Sequence, residues 1–248
     1  MNSQLAITID VDWAPDFAIA KIAAILVAKR VKATWFLTHD SPEVQKLATY
    51  SELFELGIHP NFYGGSTHGN TPKTVFEHLL QLVPQARSMR SHGLFQSSQI
   101  MRMAQESFGI HNDVSIFLPY TDNIQPHRMY YSRGTPGLIR LPYFWEDGEE
   151  MLIPNPNFEL NGYCQRRSGL KIFNFHPIHV ALNSRALQPY EQLKQRVNLN
   201  QCEAGAIVNY IEPGVGTQTF FIELVEHLAK QGESFTISEL ALYWNNFA

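Results

Sequence analysis

Leu5-Ala6-Ile7-Thr8-Ile9 runs straight into Asp10-Val11-Asp12. The β-branched Ile7, Thr8 and Ile9 predict a strand, and that strand ends on two acids. From Asp16 to Arg30 apolar residues recur at helical spacing, with Asp16 as the N-cap, which predicts a helix. Ala33 to Leu37 predicts the second strand. The alternation then continues. Further strands are predicted at Ile58-His59, Ser88–Ser91, Val114–Leu118, Gly137–Phe144 and Leu170–Phe175. Between and after them fall helical segments at Ser41–Leu47, Thr71–Ala86, Gln96–Phe108, Pro189–Val197, Thr217–Gln231 and Ser238–Trp244. Strands alternating with helices make a parallel α/β sheet. About seven such units favour a closed or nearly closed (β/α) barrel over an open sheet. Single barrels of roughly 200–250 residues are common, so residues 1–248 are expected to form one domain. In barrels the chemistry sits at the C-terminal ends of the strands.

Composition narrows the function. Hydrophobic residues are 44% and charged residues 17%, which excludes a disordered chain. Nineteen basic against 23 acidic residues leave no cationic excess for phosphate neutralisation, so nucleic acid is not the expected partner. Cys164 and Cys202 have no metal-like spacing and make no disulfide framework. The N-terminal segment has no basic-then-apolar signal pattern. Phe17 to Val27, the longest apolar stretch, is interrupted by Lys21 and is too short to span a bilayer. The C-terminal Leu-Ala-Leu-Tyr-Trp-Asn-Asn-Phe-Ala carries no lipidation motif. A cytoplasmic protein is expected. The ten histidines are the unusual count and direct attention to acid–base and metal chemistry.

Polar clusters follow the strands in order. Asp10 and Asp12, two apart on a strand, would face the barrel mouth together. Asp12 could equally cap the next helix. His59 ends the third strand, and His68 lies nine residues on, in the small-residue loop Gly64-Gly65-Ser66-Thr67-His68-Gly69. One carboxylate with two imidazoles is a common shell for a catalytic divalent metal. Met89-Arg90-Ser91-His92 follows the fourth strand. Arg90 could orient a carboxylate, and His92 is a second possible ligand or a polar pocket group. The apolar Leu170–Phe175 delivers His176, well placed for proton transfer.

This series of motifs resembles the polysaccharide deacetylase superfamily, the NodB-homology or carbohydrate esterase family 4 fold. Within it the chain looks most like divergent members of bacterial O-antigen biosynthesis clusters. Thr8-Ile9-Asp10-Val11-Asp12 resembles the family's Thr-Phe-Asp-Asp. The segment from His59 resembles its His-(Ser/Thr)-x-x-His, Arg90-Ser91-His92 its Arg-x-Pro, and Pro142–Asp147 its Asp- and Trp-containing fourth motif. Asn174-Phe175-His176 resembles its Leu-x-His. The resemblance implies a deformed barrel and metal-dependent removal of an N-acetyl group from an amino sugar or oligosaccharide. By it Asp10 is the base, Asp12 and His59 are ligands of Zn²⁺, Arg90 orients Asp10, and His176 is the acid. Asp147 would orient His176. Tyr143, Trp145 and His92 would line the substrate pocket, with a backbone N–H near His92 facing the oxyanion.

The chain departs from those motifs at three places. Tyr63 stands four residues after His59, so the second imidazole comes from an insertion, and His68 is chosen over His92. His92 replaces proline, and Asn174 replaces leucine, which implies a more polar acyl pocket. Other readings are a deacylase of a non-sugar amide and a non-catalytic barrel that binds metal or carbohydrate. A metal-free glycosidase ranks last, because Asp10 and Asp12 share one strand.

Overall fold

β1 (Gln4–Asp10) lies inside one nine-stranded sheet, between β2 (Ala33–Leu37) and β9 (Leu170–Phe175). The computed structural model describes residues 4–134, 136–164 and 169–245. The side chain of Cys164 and the chain end 246–248 lie outside the described residues. The other strands are β3 (Phe54–Ile58), β4 (Ser88–Met89), β5 (Asn112–Asp113), β6 (His127–Met129), β7 (Leu138–Arg140) and β8 (Trp145–Glu146). Their order is β6-β7-β5-β4-β3-β2-β1-β9-β8, and every pairing is parallel except β6 with β7.

The connection from β7 to β8 shows that the sheet curls. These strands lie near opposite edges, yet only residues 141–144 separate them. In a flat sheet seven strand spacings would hold them roughly 34 Å apart. The five residue steps from Arg140 to Trp145 reach at most about 18 Å. The edges must therefore approach one another, and single bridges between Phe117 and Tyr143 and between Ile124 and Gly169 occupy part of the gap. The result is a half-barrel, in keeping with the deformed-barrel expectation, with nine strands among the described residues instead of about seven.

Short strands account for the difference. The segment read as one strand, Gly137–Phe144, gives β7 and then crosses to β8 on the other edge. β6 has no apolar alternation and exists as the antiparallel partner of β7. The fifth strand is Asn112–Asp113, directly before the apolar Val114–Leu118 run.

Ten α-helices accompany the sheet: α1 (Asp16–Lys29), α2 (Pro42–Leu47), α3 (Pro72–Leu82), α4 (Ser98–Phe108), α5 (Asp147–Glu150), α6 (Asn161–Cys164), α7 (Pro177–Leu182), α8 (Leu187–Lys194), α9 (Thr217–Gln231) and α10 (Ile237–Asn245) among the described residues. Pro15, not Asp16, is the N-cap of α1, and Asp16 is its first helical residue, where its charge suits the helix dipole. Ser41, Thr71 and Ser97 cap α2, α3 and α4 through their hydroxyls. Among the described residues no helix is long and apolar enough to cross a membrane.

Two features fix the strands that carry the site. Gly57 is needed because a Cβ there would lie 2.6 Å from the Ser88 carbonyl and 2.9 Å from the Phe36 ring. Without it β3 could not lie against β4, and His59 and Arg90 leave those two strands. On the helix side of β8 and β9, Trp145 packs with Phe173, Phe175 and Phe220 at ring separations of 4.6–6.3 Å. That aromatic block seats the β8 and β9 ends that deliver Asp147 and His176.

Candidate metal and active centre

β1 ends at Asp10, and the chain then turns through Asp12 (φ 45°) and Trp13 (φ 54°). Two successive non-glycine residues in the left-handed region are costly, about 1–3 kcal/mol each, and such strain collects at functional sites. The turn is held by the Trp13 N–H donating to Thr38 Oγ1 (3.0 Å) and the Ala14 N–H to the Val11 carbonyl (2.8 Å). Asp10 and Asp12 thus reach one cavity, by a turn and not by the strand alternation that the sequence suggested. Asp10 stays deep and buried, while Asp12 sits nearer the mouth.

Asp12 Oδ1 lies 3.0 Å from His59 Nε2 and 3.1 Å from His92 Nδ1, and those two nitrogens are 3.2 Å apart. Three donor atoms converge on one point. Ligands around zinc at about 2.0–2.2 Å in a tetrahedron stand roughly 3.3–3.6 Å apart, so the trio fits a divalent cation with slight opening. His59 Nδ1 is buried without a hydrogen-bond partner and points to Asp10 Oδ1 at 3.7 Å. A ligating imidazole typically turns its second nitrogen toward a carboxylate, and His59 is aimed that way. Burial alone would raise the Asp12 carboxyl. The adjacent His59, with His92 and His176, outweighs it and holds the group well below the ordinary carboxylate range. Burial would lower His92, but Asp12 outweighs that and raises it.

His68 is not in this group, and the choice of His68 over His92 is corrected. Its Nε2–H donates to the Thr38 carbonyl (2.7 Å), and its Nδ1 accepts the Asn61 N–H (3.1 Å). Both nitrogens are spent. The ring stacks between Trp13 (5.2 Å) and His78 (5.5 Å), and burial pushes its pKa down to about 4. Trp13, which sequence reading passed over, also meets His92 edge-on at 5.5 Å.

On one side of the trio lies Asp10 with Arg90. Arg90 is buried, donates to Asp10 Oδ1 (2.9 Å), Thr8 Oγ1 (2.9 Å) and the Val114 carbonyl (3.1 Å), and also bonds Asn174. Its guanidinium lies between the rings of Phe36 (4.9 Å) and Tyr143 (4.4 Å), the stacking a planar cation permits. On the other side His176 Nδ1–H donates to Asp147 Oδ1 (2.6 Å), and the His176 backbone N–H to Asp147 Oδ2 (2.8 Å). His176 Nε2 faces Asp12 Oδ2 at 3.5 Å. Burial would lower His176, but Asp147 overrides it and raises the group well above the ordinary histidine value.

A cavity of about 250 Å³ joins these groups, with Asp10, Asp12, His59, His92, Glu146 and His176 on its walls. Tyr143 lines it too, but its hydroxyl donates to Glu146 Oε2 (2.7 Å). Trp145 does not line it and borders a smaller, adjoining cavity of about 90 Å³. In β8, Trp145 faces the aromatic core and Glu146 the cavity, so the expected pocket tryptophan is exchanged for a glutamate. Burial raises the Glu146 carboxyl. β8 has only two residues, so the face Glu146 takes is read from its register beside Asn174 of β9 and not from the sequence. The N–H of His92 donates to the Pro60 carbonyl (3.0 Å), so it does not face the cavity as an oxyanion donor.

Asp147, His176 and His179 also gather ligand atoms within 4.8 Å. Asp147 Oδ1 is already engaged by His176 and by the Gly148 N–H (2.8 Å), which makes this grouping a hydrogen-bonded dyad with a neighbour. His179 is buried, touches Ser184 Oγ (3.1 Å) and the Tyr190 ring, and is pushed down to about 4. Unfolding frees it to take a proton below about pH 6.5, which the folded chain refuses until about 4. Stability should therefore fall as pH drops through that window, with His179 contributing at most about 3 kcal/mol. Urea denaturation at pH 7 and 4.5 measures this, and His179→Gln should flatten the slope. An unchanged slope would mean that His179 is already protonated in the fold.

The chain's relatives agree with this architecture. A comparison with curated proteins returns no match. A crystal structure from Bordetella bronchiseptica, described as a candidate polysaccharide deacetylase involved in O-antigen biosynthesis, is 29% identical with a TM-score of 0.75. The alignment covers 90% of each chain. A candidate polysaccharide deacetylase from Mycobacterium smegmatis, 14% identical with a TM-score of 0.51, shares the fold over 93% of this chain and 91% of its own. The family model described as WbmS-like polysaccharide deacetylase matches residues 7–194, a span that holds every residue of the metal-type trio and of the two flanking pairs. On that match the chain belongs to the WbmS-like polysaccharide deacetylase family.

Proposed function

We propose that the protein removes an N-acyl group, an N-acetyl group in the first instance, from an amino sugar of a bacterial surface polysaccharide, with a zinc ion on Asp12, His59 and His92. The observation that carries this is the order of groups across one cavity: the Arg90–Asp10 pair, the convergent trio, then the Asp147–His176 pair. Amide hydrolysis needs a base on the water side and an acid on the amine side. When bound, such an ion supplies Lewis acidity and makes water nucleophilic near neutral pH. Asp10, oriented by Arg90, takes the proton of the attacking water. His176, with Nδ1 fixed on Asp147, presents Nε2–H to the departing amine. The similarity to the Bordetella O-antigen protein supports the polysaccharide context.

The test is hydrolysis of a panel of N-acetylated amino sugars and simple amides by zinc-loaded protein. Amine release from the sugars supports the reading. Zinc-loaded protein that releases amine only from simple amides moves it to the non-sugar deacylases, and no release at all sinks it.

The acid assignment also predicts a pH profile. The rate should fall as pH rises through the His176 pKa, which Asp147 holds well above 6.5. In Asp147→Asn burial prevails, so the alkaline limb of kcat/KM should move to lower pH by about 1 unit or more. An unmoved limb would assign it to another group.

A further inference from the structure

Asn174, two residues before His176 on β9, uses every hydrogen-bonding site it has. Its Nδ2 donates to Asp10 Oδ2 (2.9 Å) and to Glu146 Oε2 (3.4 Å). Its Oδ1 accepts from Thr8 Oγ1 (3.0 Å) and from Arg90 Nη1. A side-chain amide offers two donors and two acceptor sites, and all four are taken. The orientation is forced: a flipped amide would set its oxygen against two carboxylates and its NH₂ against the guanidinium. Asn174 is fully buried and does not line the cavity, so its place in the motif does not make the acyl pocket polar. Its action is on Asp10. Arg90, just past β4, fixes Oδ1 of that carboxylate, and Asn174, within β9, fixes Oδ2. The same Nδ2 reaches Glu146, which Tyr143 also holds and which walls the cavity.

We propose that Asn174 is a positioning residue of the hydrolysis: it clamps the second oxygen of Asp10 and ties the base to Glu146, which also lines the cavity. This rests on Asp10 being the base of the deacylation proposed above. A carboxylate held at one oxygen by Arg90 alone can swing about its χ2, and misplacement of a reacting group by about 1 Å can cost roughly 10²-fold in rate.

Asn174→Leu fills the space without the donors, and Asn174→Asp keeps the shape but sets a carboxylate against Asp10 and Glu146. In zinc-loaded protein each should lower kcat by about 10–10²-fold, with KM within about twofold and bound zinc unchanged, because the trio is untouched. A kcat within twofold of wild type in a folded variant overturns the clamp, and so does a raised KM at unchanged kcat. If Asn174→Leu does not fold, Asn174→Asp carries the comparison. If the wild type hydrolyses no N-acyl substrate, the deacylase reading fails on its own. Crystal structures then decide the clamp: an Asp10 carboxylate rotated in the variants supports it, and one left in place overturns it.

Discussion

His176→Ala should lower kcat by roughly 10²–10⁴-fold and leave the bound metal in place. The two halves of that expectation have different physical sources. Loss of rate follows because His176 is a half-buried imidazole in the cavity wall whose charged form is strongly favoured. Burial opposes the proton on His176, and Asp147 at 2.6 Å more than restores it. With Nδ1 committed to Asp147, Nε2 is the nitrogen left to face the cavity, so the acid has one tautomer and one direction. Retention of metal follows because His176 is not part of the trio and meets Asp12 through Oδ2, at 3.5 Å, while His59 and His92 meet Oδ1. Steady-state kinetics with elemental analysis of the same samples checks both. A variant with near-normal kcat would end the acid assignment and point to Glu146, the cavity-wall carboxyl that burial raises. A variant that loses both rate and metal would make His176 a ligand.

How far the sequence could be read depended on whether a residue's place was set by a strand or by a loop. Asp10 and His176 close long, mostly apolar strands, and Arg90 follows the short β4, so each place is set by the end of a strand. Asp147 is legible only through the resemblance of Pro142–Asp147 to the family's fourth motif. Asp12 arrived at the cavity for a different reason than the one read, because two left-handed residues turn the chain after Asp10. No period reports such a turn. The loop from Asn61 to Asn70 has no period either. Its histidine is read as the second ligand from an insertion, because Tyr63 breaks the motif spacing, whereas the fold spends that ring on Thr38 and Asn61. Glu146 and Trp145 are neighbours on a two-residue strand, too short for alternation to say which faces inward until β9 is beside it. At the other end of the sheet, Glu55 accepts from Thr34 and from the Ser238 N–H and hydroxyl, pinning the start of α10 to β3. Those partners are about 180 residues apart in the chain, and nothing local in either segment announces the contact.

The same contrast yields the sharpest comparison between two single substitutions. His92→Ala should lower zinc affinity by roughly 10²-fold or more, since loss even of an outer partner typically costs 10–100-fold. His92 Nδ1 stands 3.1 Å from Asp12 Oδ1 and 3.2 Å from His59 Nε2, so its removal opens one side of the trio. His68→Ala should bind zinc as the wild type does. Its cost falls on stability instead, about 2 kcal/mol or more, because the Thr38 carbonyl and the Asn61 N–H lose their partner in a buried place. Zinc titration by calorimetry and urea denaturation, run on both variants, separate the two roles. Zinc lost with His68 and kept with His92 would return the metal to the loop and require the Thr38 contact to break on binding. Zinc kept by both would leave Asp12 and His59 as a two-residue site, too few for the three protein ligands that catalytic zinc ordinarily takes, and the hydrolase reading would lose its metal.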